Sequence, residues 1–183
     1  MSYVSHLECS ANCGATPLDP HEQHHLCSCG MPLLVRYHLD RVANIWKKST
    51  LVDRPPTMWR YKEMMPLLGD GEPVTLGEGF TPLFHAKSLG RKLGLQALYI
   101  KDESLNPTNS FKARGLSAAV TRARALKAHT LSVPSAGNAA NAMAAYAAQA
   151  GIPAKVFMPK DVKRPFIREC ELYGADVTLV DGL

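Results

Sequence analysis

From residue 98 onward, short apolar runs alternate with longer stretches whose apolar positions repeat every three to four residues. The short runs predict β-strands and the longer stretches predict helices. Strands are expected over residues 98–101, 130–133, 154–158 and 176–180. Helices are expected from a cap at Asn109 or Ser110 to Leu126, and over residues 139–150 and 161–173. This alternation predicts an α/β fold with a parallel sheet flanked by helices.

The first 40 residues follow a different pattern, rich in Cys, His and Pro, and end in a strand-like run over residues 32–37. Residues 41–73 hold aromatic and Met side chains among prolines, which predicts short helical pieces that wrap around a larger body. We therefore expect a small Cys-rich, zinc-ribbon-like segment over residues 1–40, followed by the α/β body over residues 41–183.

Length and charge exclude several classes of protein. The chain has 183 residues, 46% of them hydrophobic, which is enough to bury a sizeable core. It has no apolar run of about 18 residues and no basic, then apolar, secretory signal, so we expect no membrane span and a cytoplasmic location. Its 21 Lys and Arg exceed its 16 Asp and Glu by five, but they are scattered. We expect no nucleic-acid partner, and an anionic small molecule is compatible with the surplus.

Four of the five cysteines lie near the N-terminus: Cys9, Cys13, Cys27 and Cys29. Disulfides are not expected in a chain without an export signal. A glycine follows each pair, as in metal-binding knuckles, although the spacings depart from the usual two residues between cysteines. Three alternatives stay open. The segment is a zinc site, with His21, His24 or His25 as a substitute ligand; a loop-rich hairpin with free thiols; or a ribbon that no longer binds metal. The fifth, Cys170, falls in a predicted helix and is expected in or beside the core.

Ligands of an open parallel sheet bind at the carboxyl ends of its strands. Two predicted loops emerge there, over residues 102–112 and 134–138, and neither contains a P-loop or a dinucleotide-binding G-x-G-x-x-G motif. The first loop places Lys112 at the first turn of a helix, where the helix dipole disfavours the ammonium form. A neutral amine is what Schiff-base formation requires. The second loop opens another helix, whose amides can bind a carboxylate, with Asn138 as a further donor.

At these residues the sequence resembles a known family. Asn106–Gly115 reads N-P-T-N-S-F-K-A-R-G and resembles the motif N-P-T-G-S-F-K-D-R-G around the cofactor lysine of the threonine synthases. These belong to the fold-type-II pyridoxal phosphate (PLP) enzymes related to tryptophan synthase β. Leu76–Leu83, Lys101–Glu103 and Ser135–Asn138 are similar to the family's L-G-E-G-x-T-P-L, K-D-E and S-T-G-N motifs. Cys27–Leu33 is similar to a ribbon that precedes the catalytic body in many members.

The resemblance implies roles for the matching residues. Lys112 would hold PLP as a Schiff base and then act as the catalytic proton shuttle. Asn138 would donate a hydrogen bond to the 3-hydroxyl oxygen of the cofactor. Phe111 would pack near the cofactor ring or fill the core. Three residues would donate hydrogen bonds to the carboxylate of the substrate: Ser135, Ala136 and Gly137.

Other matching residues are expected to support the site. Glu78 and Thr81 would order their loop, and Ser110 would cap the helix. Structural ion pairs, rather than catalysis, are expected of Lys101, Asp102 and Arg114. The chain departs from the motif at Asn109, where the family has Gly, and at Ala113, where it has Asp. Both departures bear on the choice of substrate rather than on the cofactor, because the lysine is kept.

The implied reaction converts O-phospho-L-homoserine and water to L-threonine and phosphate, with PLP as the electron sink. A small amino-acid phosphate is therefore the expected substrate. Two alternatives stay open. One is another fold-type-II PLP enzyme, such as a threonine or serine ammonia-lyase or a cysteate synthase. The other is a non-catalytic zinc-ribbon homologue.

The length of the chain sets a further expectation. Enzymes of the family it resembles are roughly twice as long as its 183 residues. Their phosphate cradle and the partner of the pyridine nitrogen lie in the second half, which would fall beyond Leu183. We therefore expect the N-terminal half of such an enzyme. In isolation it would bind PLP poorly and be inactive, and the full-length protein would form a homodimer.

Overall fold

The structure is a computed structural model that describes residues 2–67, 69 and 71–182. Its strands are β1 Val4–Cys9, β2 Leu33–Tyr37, β3 Leu83–His85, β4 Tyr99–Lys101, β5 Leu131–Pro134, β6 Ala154–Pro159 and β7 Asp176–Val180. Its α-helices are α1 Leu39–Ile45, α2 Lys48–Val52, α3 Lys87–Lys92, α4 Lys112–Ala125, α5 Asn138–Ala150 and α6 Arg164–Leu172. Short 3-10 helices cover Met58–Met64, Glu103–Leu105 and Pro107–Asn109.

A parallel sheet in the order β5-β6-β7 forms the centre of the α/β body. Val133 lies opposite Val156, and Val156 lies opposite Val177. Helix α5 connects the first two strands and α6 connects the last two, as β-α-β units require. The buried core between sheet and helices includes Met143, Met158 and Cys170. The predicted α/β fold with a parallel sheet flanked by helices is confirmed, and so is the core position of Cys170.

The predicted strand at residues 98–101 is present, but it does not belong to the parallel sheet. β4 instead pairs antiparallel with β3, with Leu83 opposite Lys101, and the two strands form a separate sheet. The chain turns back after α3, where Gly94 has a φ of +70° and the Leu95 amide bonds the Gly90 carbonyl at 2.8 Å. Every residue of β3 and β4 is exposed, unlike the strands of a parallel sheet that helices cover.

Helix α4 begins later than its sequence predicts. Its first residue is Lys112 and Phe111 occupies the N-cap position without a side-chain hydrogen bond. The expected cap at Asn109 or Ser110 is therefore wrong, because the 3-10 helix Pro107–Asn109 intervenes between the preceding turn and α4. α5 agrees with its prediction to within one residue and ends at Gly151, which takes the left-handed conformation.

The N-terminal segment is an antiparallel hairpin of β1 and β2 in which Cys9 lies opposite Leu33. The Tyr3 amide donates to the Glu63 carbonyl at 2.9 Å, and this bond attaches the hairpin to the 3-10 helix Met58–Met64. α1, α2 and that 3-10 helix confirm the short helical pieces predicted for residues 41–73. The division of the chain at residue 40 stays a prediction.

The described residues include no helix long and apolar enough to cross a membrane.

Candidate active site

Lys112 lies in the first turn of α4, as the sequence predicts, and is its first residue; it is half-buried. Its Nζ lies 4.9 Å from the centroid of the Phe111 ring. Among the described residues no carboxylate pairs with this ammonium group and no acceptor bonds to it. The Phe111 side chain is 58% exposed, so it does not fill the core. The structure therefore presents an amine without a partner beside an exposed aromatic ring.

The turn before Lys112 has an unusual backbone. Thr108 and Asn109 have φ values of +59° and +53°, in the left-handed region that side chains other than Asn and Asp rarely adopt. This angle explains why the related motif carries Gly at the position of Asn109. The hydroxyls of Thr108 and Ser110 are buried and have no hydrogen-bond partner within the described part of the chain. Two unsatisfied donors next to Lys112 are a costly feature for a core, and they are suited to a polar ligand.

Glu103 holds the start of α4 in place. Arg114 donates two hydrogen bonds to its carboxylate, at 2.6 and 2.8 Å, and Thr81 donates a third at 2.5 Å. The bonds from Arg114 are the largest cause that lowers the pKa of Glu103 to about 2. The ion pair expected of Arg114 is thus present. The described residues offer no such pair to Lys101, which donates to the Thr81 carbonyl, or to Asp102, which accepts from Ser104.

Glu78 is a fully buried carboxylate that ties its loop to two helices. It accepts hydrogen bonds from Trp59 Nε1 at 2.8 Å, Ser117 Oγ of α4 at 2.6 Å and the Tyr146 hydroxyl of α5 at 2.6 Å. Burial by itself raises the pKa of Glu78, but the hydrogen bonds from Ser117, Tyr146 and the backbone together hold it below its usual value. The pKa of Tyr146 is raised, first by burial and then by the Glu78 charge.

These contacts give Glu78 the loop-ordering position that the sequence suggests, and they involve partners that the motifs do not reveal. One signal was available, because Tyr146 is the single aromatic residue in an alanine-rich helix and a buried hydroxyl needs an acceptor. Further along α4, Thr121 Oγ1 accepts the Val74 amide at 2.8 Å. The loop and α4 are therefore joined at several points.

The second predicted loop leads into α5, whose first residue is Asn138. The Gly137 amide lies 3.4 Å from Ser135 Oγ, and the Gly137 carbonyl accepts the amides of Ala140 and Asn141. For the amides of Ala136, Asn138 and Ala139 the described structure contains no acceptor. The 3-10 helix Pro107–Asn109 packs against α5, so the segment before Lys112 and the helix that Asn138 opens are neighbours. The ligand roles of Ser135, Ala136, Gly137 and Asn138 stay predictions.

The four N-terminal cysteines meet in one cluster. All four Sγ atoms lie within 4.8 Å of one another, and none of the cysteines is in a disulfide. The three nearby histidines do not join them: His24 bonds the Asp19 carbonyl, His25 bonds Gln23, and the His21 amide bonds Asp19. The structure thus brings the Cys-rich segment to a four-thiol arrangement without a histidine.

Most of the α/β body is similar to a known protein family. Residues 74–183 match the family model described as "Pyridoxal-phosphate dependent enzyme". The chain belongs to this PLP-dependent enzyme family. The matched region contains the Glu78 loop, Lys112 and Asn138, and it begins after the Cys-rich hairpin.

Curated relatives of this PLP-dependent family member are named threonine synthase. The chain is 35% identical to the threonine synthase of Methanocaldococcus jannaschii, over 96% of this chain and 44% of the relative. It is 37% identical to that of Methanosarcina acetivorans, over 97% of this chain and 43% of the relative. The resemblance noted in the motifs is confirmed. The chain spans less than half the length of these curated relatives.

Solved structures of PLP-dependent enzymes share the fold. A PLP-dependent aspartate racemase matches with a TM-score of 0.52 and 31% identity, over 55% of this chain and 32% of that chain. Diaminopropionate ammonia lyase from Escherichia coli matches with a TM-score of 0.55 and 26% identity, over 59% of this chain and 31% of that chain. The fold is therefore shared with PLP enzymes of more than one reaction type.

The residues around Lys112 fit PLP as a ligand. The cofactor needs a lysine amine that is not engaged in an ion pair, and Lys112 Nζ meets this need. It also needs polar donors, which the two unpartnered hydroxyls of Thr108 and Ser110 supply. The free amides at the start of α5 can bind an anionic group.

Proposed function

We propose that this chain is the part of a PLP-dependent threonine synthase that carries the cofactor lysine. The proposed reaction converts O-phospho-L-homoserine and water to L-threonine and phosphate. The observation that carries the proposal is the position of Lys112, at the first turn of α4 with an amine that no described carboxylate engages. Threonine synthase relatives at 35% and 37% identity support the choice of reaction.

When bound, PLP supplies an electron sink that stabilises negative charge on the carbon skeleton of the substrate. Lys112 would hold the cofactor through Nζ and, once released, carry a proton to and from the substrate carbons. Its place at the first residue of α4 holds the start of the side chain at a fixed point for both tasks. Asn138 would donate its side-chain amide to the 3-hydroxyl oxygen of the cofactor.

The start of α5 would orient the substrate. Helix N-termini bind anions because their first amides lack intrahelical acceptors. The free amides of Ala136 and Asn138, together with the Ser135 hydroxyl and the Gly137 backbone, would hold the carboxylate of the substrate. The second anionic group, the phosphate, would meet residues outside this chain, so turnover belongs to the full-length protein, for which we propose a homodimer in the cytoplasm.

Elimination chemistry is a second candidate because the ammonia-lyase structure matches with a TM-score of 0.55. An ammonia-lyase would release ammonia and a keto acid rather than phosphate. Both reactions use the lysine and the cofactor. Labelling of the lysine therefore cannot distinguish them, and identification of the products can.

The lysine is tested by reduction. PLP is added to the full-length protein, borohydride is added, and the pyridoxyl-bearing peptide is found by mass spectrometry. We expect the label on Lys112 and its loss in Lys112→Arg. The matched control is Lys87→Arg, because Lys87 also opens a helix, α3, outside the motif. Equal labelling of both variants contradicts the proposal.

The reaction is tested on the full-length protein. With O-phosphohomoserine we expect phosphate and threonine in equal amounts, and no 2-oxobutyrate from threonine. Release of 2-oxobutyrate from threonine without phosphate release from O-phosphohomoserine assigns the ammonia-lyase reaction instead. Absence of both activities, with label still on Lys112, rejects both reactions and leaves the cofactor lysine in place.

A further inference from the structure

The N-terminal cysteines have the spacing of ligands around one metal ion. Cys9 Sγ and Cys29 Sγ are 3.5 Å apart, as are Cys13 Sγ and Cys27 Sγ, and all four atoms lie within 4.8 Å of one another. A disulfide would bring a pair to about 2.05 Å. Four thiolates at about 2.3 Å from a tetrahedral Zn²⁺ are about 3.8 Å apart. The observed separations are therefore too long for disulfides and close to those of a zinc site.

Two tight turns deliver the four thiols. The Asn12 amide bonds the Cys9 carbonyl at 3.2 Å in the first turn, and the Gly30 amide bonds the Cys27 carbonyl at 2.8 Å in the second. Gly30 has a φ of +83°, which a residue with a side chain rarely adopts. The Cys27 amide also bonds the Met31 carbonyl at 2.9 Å. Both turns bend the backbone around their thiols, as the knuckles of a zinc ribbon do.

The segment that these turns belong to has almost no apolar core. Between residues 10 and 32 the buried side chains are those of Pro20 and Cys27. A segment of this size cannot offset the entropy of folding by burial alone and needs a cross-link or a metal. The Cys cluster is the one feature of the segment able to supply it.

We propose that Cys9, Cys13, Cys27 and Cys29 bind one structural zinc ion that folds the segment between β1 and β2. An all-sulfur set selects zinc over the oxygen-binding ions magnesium and calcium. Four protein ligands close the coordination sphere, so the ion has no open position for a substrate. The site serves the fold of the hairpin, and it is separate from Lys112 and its cofactor.

Metal content is measured first on the full chain purified with zinc. We expect one zinc per chain by native mass spectrometry and elemental analysis. Replacing zinc by cobalt should give the charge-transfer and d–d absorption of tetrahedral cobalt thiolate. Cysteine-to-serine variants at positions 9, 13, 27 and 29 should each lose that spectrum. Cys170→Ser is the matched control, because Cys170 is buried in the core beside α5, and it should keep one zinc and the full spectrum.

The effect of zinc on the fold of the segment is measured without a substitution. Zinc is removed with a chelator, and amide hydrogen exchange is then measured. Removal of zinc should raise exchange of the amides in residues 10–32 by about tenfold or more, since binding to the folded state alone stabilises it. Exchange in α5 should not change. Zinc below one-tenth per chain in the wild type, thiol counting that finds two disulfides, or unchanged exchange after chelation each overturns the proposal. Pyridoxyl labelling of Lys112 is measured on the same samples, and its outcome is independent of the zinc result.

Discussion

The Tyr146 hydroxyl donates a 2.6 Å hydrogen bond to the Glu78 carboxylate, and neither side chain reaches solvent. Ser117 donates to the same carboxylate from α4. One buried charge thus joins the loop over residues 74–81 to the two helices that open with Lys112 and Asn138. Because buried charges are tolerated only when they are hydrogen-bonded, the three elements keep one relative arrangement.

Replacing Glu78 should destabilise the protein strongly. In Glu78→Ala the buried Tyr146 hydroxyl loses its acceptor, and the buried Trp59 Nε1 loses one of its two acceptors. We expect the free energy of unfolding, measured by urea denaturation, to fall by about 2–4 kcal/mol. Glu171→Ala is the control, because its exposed pair with Arg168 should contribute at most about 0.5 kcal/mol. Equal losses of unfolding free energy in both variants would show that the buried hydrogen bonds of Glu78 stabilise the protein no more than an exposed ion pair does.

Acid should weaken the fold through Glu103. Its pKa is about 2 in the folded chain, mainly because Arg114 bonds it, against 4.5 as the ordinary value. Below pH 4.5 the unfolded chain takes up a proton that the folded chain does not, so the free energy of unfolding decreases as the pH falls from 4.5 towards 2. Arg114→Gln should make this decrease shallower. Arg168 belongs to an exposed ion pair, so in Arg168→Gln the free energy of unfolding should fall with pH as steeply as in the wild type.

Gly79 should not tolerate a side chain. Its φ is +102°, and an added Cβ would lie 2.5 Å from the Met58 backbone nitrogen, which cannot move without breaking its bond to the Glu78 carbonyl. We expect Gly79→Ala to lose about 3 kcal/mol or more. Gly94→Ala has a φ of +70° but open space, so it should lose only about 1–2 kcal/mol. Thermal or urea unfolding of both variants decides, and losses of similar size would contradict the steric argument.

Thiol reactivity should divide the cysteines into two classes. Cys170 is fully buried, and burial, with the Glu169 and Glu171 charges, raises its pKa to about 11. In the metal-free protein at pH 8, an aromatic disulfide reagent should therefore leave Cys170 unmodified until the chain unfolds. The exposed thiol of Cys29 should react within the dead time of a manual assay. Cys170→Ala should not change the number of thiols that react within the dead time. A smaller number in that variant would contradict the burial of Cys170.

Local sequence signals were sufficient for the elements of the parallel sheet. α5 is an alanine-rich run closed by Gly151, and β6 has four apolar residues in five, interrupted by Lys155. Both were predicted to within one residue. The pairing of β4 with β3 was missed because it depends on a reversal at Gly94, and a three-residue strand has too few positions to identify its partner.

At the candidate site, the sequence predicted only those features that depend on the type of side chain. Lys112 and the Cys cluster stand out in the sequence. Neither the buried hydroxyl of Ser110 nor the left-handed backbone of Asn109 does, because burial and φ are set by how the turn packs against α5. The expected ion pairs of Lys101 and Asp102 failed for the same reason, since charge alone does not say which group lies within reach.

The attachments of α4 have a thermodynamic consequence for its first residue. Arg114, Ser117 and Thr121 fix the helix backbone to Glu103, Glu78 and Val74, while the Lys112 side chain stays unengaged. The backbone of Lys112 therefore loses its conformational entropy when the chain folds, before any ligand binds. A reaction at Nζ then has to immobilise only the four torsions of one side chain, at a cost of about 2 kcal/mol.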